Sequence, residues 1–258
     1  MTTDARRGAT IRCNNRRATA TAGVLALVGM VAGALSVVPV LEQADYLALL
    51  PEHHGQILLG AGAQLLMVPA YVGFALYLYP TLRRGDESLG LGFVAFRLIA
   101  ATFHLAAVVI LPLFVVLGDG YTQGSGADRA HIEILGELLR SGRDLVNHGA
   151  LIIALSIGDL LLFRILHRWR LVPRWLSAWG LLGAGLALAA SLMVLFGFTE
   201  VVSALYLALN APLAIHTIAF ALWLIARGFD MRMLEHARRF TLVGRATKNP
   251  GFPGFLWT

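Results

Sequence analysis

The stretch LGLGFVAFRLIAATFHLAAVVILPLFVVL, from Leu89 to Leu117, is apolar over the length needed to cross a bilayer, yet it contains an arginine, Arg97, and a histidine, His104. Side chains seven positions apart share one face of a helix, and the small Ala100 and Ala101 between them let a neighbouring helix approach that face. A charge in hydrocarbon costs several kcal/mol unless it is paired, hydrated or drawn to the interface. Another helix must therefore answer Arg97, and the rest of the chain is read as the surroundings of this segment.

The whole chain carries the same signature. Of its 258 residues, 57% are hydrophobic and 14% are charged, and mean hydropathy is +0.70; in soluble domains about a quarter of residues are charged. Apolar runs at 18–41, 55–79, 89–117, 148–166, 175–196 and 201–225 predict an all-α integral membrane bundle of six transmembrane helices in a domain of residues 18–226. The first run is too long for the h-region of a signal peptide and reads as a membrane helix. Residues 1–17 form a basic tail ahead of it, and Pro80 is expected to end the second span. Between spans three and four, GDGYTQGSG precedes a segment in which Ile132, Leu135, Leu138, Leu139 and Val146 recur at helical spacing, which predicts an amphipathic outer helix before the fourth span. Residues 227–258 form a second basic tail whose end, NPGFPGFLWT, is expected to be disordered, with Phe252, Phe255 and Trp257 at the membrane interface.

Charge sets the topology. With both tails and the turns after spans two and four on one side, every basic residue lies there except Arg97, Arg129, Arg140 and Arg143, while nine acids fall on the other. By the positive-inside rule both termini are expected in the cytoplasm. Basic residues gathered in short turns between spans argue against a nucleic-acid partner. The lone Cys13 permits no internal disulfide, and no Gly-rich phosphate loop, HExxH or serine elbow is present, so no enzyme chemistry is indicated.

Polar residues inside the spans supply the candidate site. At 1.5 Å per residue Arg97 and Asp159 both lie about 12 Å from the cytoplasmic ends of consecutive antiparallel helices, which predicts an ion pair between them. His148 points the same way as Asp159, with Ser156 at the edge of that face, and the face is expected to meet span three. Gln64 and His104, with Asn210, His216 and Thr217 on span six, extend the pair into a ligand or ion seam. Pro69, Pro112 and Pro212 each free a carbonyl that could line a cavity. Interhelical glue is the bland alternative for all of these residues. No cofactor or metal is expected; haem held by His104 and His216 is the alternative, without a spacing motif to support it. FALYL, from Phe74 to Leu78, recurs as FALWL, from Phe220 to Leu224, a candidate internal repeat.

RLVPRWLSAWGLLGAGLALAA (Arg170 to Ala190), ALYLYPTLRRG (Ala75 to Gly85), GFVAFR (Gly92 to Arg97) and ALWLIARGF (Ala221 to Phe229) together resemble a bacterial family of six-span membrane proteins, the domain of unknown function numbered 4386. The resemblance runs from about residue 17 to residue 229 and implies six helices, a cytoplasmic membrane and no established activity. It supports Arg97 as a functional residue. Where the family pattern carries glutamates, one turn after FR and near Thr217, this chain has Ala100 and no acid. The leading expectation is binding or transport of a small solute or ion, with proton coupling as an option. A membrane scaffold or regulator using the Gly/Ala-rich first and fifth spans is the second, and a haem or redox protein the third. The partners expected are the lipid bilayer, a small solute or ion, and a second copy in a homodimer.

Overall fold

The computed structural model describes residues 2–201 and 203–234, with side chains from Asn15 onward, and every regular element in it is helical. Helices α1 (Thr2–Leu35), α3 (His54–Gly85), α4 (Glu87–Gln123), α6 (Ile152–Arg168), α7 (Arg174–Leu195) and α8 (Ala204–Ala226) carry six apolar segments long enough to cross a membrane. The short α2 (Tyr46–Leu49) lies between two 3-10 turns, Pro39–Glu42 and Leu50–His53, and α5 (Gly126–Asp144) precedes α6. The expected end of the C-terminal tail, with Phe252, Phe255 and Trp257, lies outside the described residues.

The six long helices form a closed ring in chain order. Each packs on the next, α1 on α3, α3 on α4, α4 on α6, α6 on α7 and α7 on α8, and α8 returns to α1. Small residues set the close approaches. A Cβ added to Gly23 of α1 would lie 2.6 Å from the carbonyl oxygen of Ala221 on α8, and one on Gly29 would lie 2.7 Å from the Tyr71 ring on α3. On α7, Gly180 seats the Phe163 ring of α6 and Gly183 abuts Leu213 of α8. Where lipid is as apolar as the side chains, such backbone approach supplies the van der Waals contact that holds helices together. The glycines of the first and fifth spans are thus largely consumed within the chain.

Both copies of the candidate repeat serve one core. Phe74, Ala75 and Leu78 are buried, as are Phe220, Ala221 and Leu224, while the middle Leu76 and Leu222 are 54% and 53% exposed. They fill the end of the ring that carries the basic turns, together with Phe93, Leu162, Phe163 and Leu166. A second core at the opposite end gathers Val40, Leu41, Tyr46, Leu50, Leu111 and Phe114 beneath the short helices.

Several helix bounds differ from those expected. The first helix begins at Thr2, within the stretch read as a tail, and ends at Leu35 before residue 41. Pro39 imposes an extended backbone on Val38 and opens a 3-10 turn, so the helix stops ahead of it. Pro80 does not end the second span; α3 continues through it to Gly85, because a proline deletes a single backbone bond that the flanking turns of a long helix outweigh. The amphipathic outer helix expected before the fourth span is present as α5, most of whose residues are exposed. Helix α4 has 37 residues, about 55 Å at 1.5 Å each, and so overruns a hydrocarbon core of about 30 Å. Ser125 caps α5 in a reciprocal pair with Asp128, turning the chain back along this overhang. Seven residues of π-helix, Leu145–Leu151, then join α5 to α6.

Candidate functional site

Arg97 and Asp159 meet. Gly158 lets α6 approach α4, since a Cβ there would lie 3.3 Å from the Cβ of Phe96, and the next residue, Asp159, accepts a hydrogen bond from Nη2 of Arg97. Both are deep in the bundle, at 6% and 9% exposure. The guanidinium is further enclosed by three aromatic rings, Phe74 at 5.2 Å, Phe93 at 5.4 Å and Tyr71 at 5.8 Å from its central carbon. Ring faces carry negative electrostatic potential, so they stabilise the cation that the carboxylate neutralises. Phe74 and Phe93 were not singled out from sequence. Their signal is the position of Phe93 one turn before Arg97 and of Phe74 at the head of the repeated pentapeptide.

Tyr71 ties this pair to His104. Its ring stacks on the imidazole at 5.7 Å and 23° while also covering Arg97. His104 is buried, and neither Nδ1 nor Nε2 has a hydrogen-bond partner among the described residues. Gln64 is buried on α3 two turns before Tyr71, about 10 Å further along the helix. Its Oε1 is also buried without a partner, as is Nε of Arg97. The cluster thus offers a neutralised ion pair and three unpaired polar atoms, Arg97 Nε and both nitrogens of His104, with Gln64 Oε1 unpaired further along α3. Leaving a buried polar atom unpaired costs about 1–3 kcal/mol, so such atoms mark a place where water or a ligand is wanted.

The residues of span six stand apart from this cluster. Asn210 donates from Nδ2 to the carbonyl of Tyr206 at 2.9 Å, and Thr217 donates to the carbonyl of Leu213 at 2.8 Å, so each is satisfied within α8. His216 is fully buried with Nε2 at 2.9 Å from the carbonyl of Leu176, among the rings of Phe163, Trp179 and Phe220. A single seam through all seven candidates is therefore not what the side chains form. Arg97, Asp159, His104 and Gln64 belong to the α3, α4 and α6 sector, whereas His216 belongs to the α6, α7 and α8 sector. Among the described residues, no three His, Cys, Asp or Glu side chains gather as metal ligands would.

His148 also departs from its expected face. Its Nδ1 lies 3.0 Å from the hydroxyl of Tyr206 on α8, with the two rings edge to face. In an unbroken α-helix it would share the direction of Asp159. The π-helical turn containing His148 adds residues to the winding and rotates everything before it, which moves the imidazole away from α4. Ser156 is buried with its hydroxyl unpaired.

Neither the curated proteins nor the solved structures contain a match to the chain. A family model does match. Residues 21–228, from within α1 to the turn after α8, fit the model described as "Domain of unknown function (DUF4386)", and the chain belongs to that family.

Proposed function

We propose that this is a multi-pass protein of the bacterial cytoplasmic membrane that binds and passes a small solute or ion at the Arg97, Asp159, His104 and Gln64 cluster. The observation that carries this reading is the set of three unpaired polar atoms on Arg97 and His104 beside a buried ion pair, with a fourth, Gln64 Oε1, further along α3. Asp159 neutralises Arg97, and the aromatic cage fixes the guanidinium, so the pair serves as a rigid wall. His104 presents one donor and one acceptor when neutral, and Gln64 adds an acceptor. A small polar solute or a water chain would satisfy these groups, and a water chain would also pass a proton. The positive-inside distribution supports cytoplasmic termini.

Proton flux into liposomes loaded with a pH-sensitive dye, driven by a potassium diffusion potential, tests the reading. The parent protein is expected to conduct, and His104→Ala is expected to lower the rate at least about a hundredfold, the weight of one positioned acid–base group. A parent that carries neither protons nor a tested solute sinks the transport reading.

A scaffold role is the second reading, and the caged guanidinium favours it. Three rings and a carboxylate already surround Arg97, which is what a purely structural pair would need.

A further inference from the structure

We propose that the cleft between the α6–α7 turn and the segment following α8 binds the phosphodiester of an anionic glycerophospholipid. Arg170, Arg174, Arg227 and Arg232 line a cleft of about 530 Å³, over a floor that includes Leu171 and Val172, both buried. A smaller cleft of about 270 Å³ on the other side of the Arg227–Arg232 segment adds Arg16. Asp230 is the one acid in either lining. It is engaged by Arg232, whose backbone N–H donates to Oδ1 at 3.0 Å and whose Nε lies 3.8 Å away. Among the described residues Arg170, Arg174 and Arg227 have no acidic partner, which leaves a surplus of positive charge around one opening.

The cleft has fixed walls. Asp230 donates its backbone N–H to the carbonyl of Leu171 at 2.8 Å, joining the segment after α8 to the α6–α7 turn. Arg16 donates to the carbonyl of Ala226 at 3.2 Å from α1. Gly228 is buried at φ 69°, and a Cβ there would lie 2.9 Å from Oγ1 of Thr19, so the segment sits against α1 in a form that glycine alone adopts readily. Arg170, at the rim, holds a left-handed backbone, φ 51°, that an L side chain adopts at a cost. One further feature points to an anion. Helix α7 starts at Arg174 on the cleft wall, with Pro173 as its cap and no side chain bonded to its first N–H groups, so the positive end of a 22-residue helix dipole faces the same space.

The position selects a lipid over a soluble phosphate. The arginines stand where apolar spans end, the headgroup level of a bilayer, and tryptophans favour that level. Trp175, 59% exposed, follows Arg174, and Trp223 lines the cleft with its indole N–H buried and unpaired.

The test is native mass spectrometry of the full chain in micelles doped with dioleoyl phosphatidylglycerol or dioleoyl phosphatidylcholine. The parent is expected to retain the glycerol lipid at least about tenfold better than the choline lipid, and Arg170→Gly/Arg174→Gln/Arg227→Gln is expected to lose that preference. Arg83→Gln/Arg84→Gln, at the same end of the bundle but outside the cleft, is expected to keep it. Arg174→Gln alone, at an exposed position, is expected to lower retention about threefold and covers the case in which the triple variant misfolds. Retention unchanged in Arg174→Gln, or lost equally in the Arg83/Arg84 control, overturns the site. Displacement of the lipid by millimolar inorganic phosphate overturns the lipid as its occupant. The cleft lies apart from the Arg97 cluster, so either reading can fail without the other.

Discussion

At the scale of single residues, the buried pair sets the terms. Removing one partner leaves an unpaired charge, so Arg97→Ala and Asp159→Ala are each expected to cost about 3 kcal/mol or more, and the double change to recover part of the loss, as read by thermal unfolding in detergent. Additive losses would mean that the two side chains do not couple. Arg170→Gly is expected to act in the opposite direction, raising stability by about 1 kcal/mol because the left-handed backbone at φ 51° suits glycine. A lower melting temperature for that variant would show that the side chain of Arg170 contributes more to the fold than its backbone costs. The Arg97–Asp159 pair was legible in the sequence because depth along two antiparallel helices follows from counting residues. The separation of His216 from His104 was not legible, since depth is one coordinate and says nothing about which sector of a ring a side chain enters.

Among the elements, close helix contacts and one irregular turn carry the consequences. A side chain on Gly180 would begin 2.7 Å from the Phe163 ring, which is itself held against His216 and Phe220, so the ring has nowhere to withdraw. Gly180→Val is therefore expected to destabilise the α6–α7 contact by about 1–3 kcal/mol, measured as a fall in melting temperature. Loss of stability below a few tenths of a kcal/mol would show that α7 shifts freely. The π-helical turn at Leu145–Leu151 decides where His148 points. Periodicity assigned helix to the whole of this region but used α-helical winding throughout, so the direction of Asp159 came out right and that of His148 did not. Proline misled in the same way. Pro80 was read as a stop, yet a helix packed along its whole length outlasts the loss of one backbone bond.

For the whole molecule, the count of spans and their alternation were written in hydropathy, while the closing of the ring was not. Closure depends on Gly23 meeting Ala221 across most of the chain, and no local pattern announces such a contact. Orientation is open to direct measurement. In a Cys13→Ser background, Ser125→Cys is expected to react with a membrane-impermeant maleimide in intact cells and Arg84→Cys only after lysis; the reverse pattern would invert the topology. The ring also has a consequence for synthesis. Because each helix packs on its predecessor, a growing chain can dock every new span as it emerges from the ribosome, except that the α8-facing groove of α1 stays uncovered until the last span arrives. Until then the small-residue surface around Gly23 is open to lipid, so arrival of α8 is the step that covers it and closes the ring.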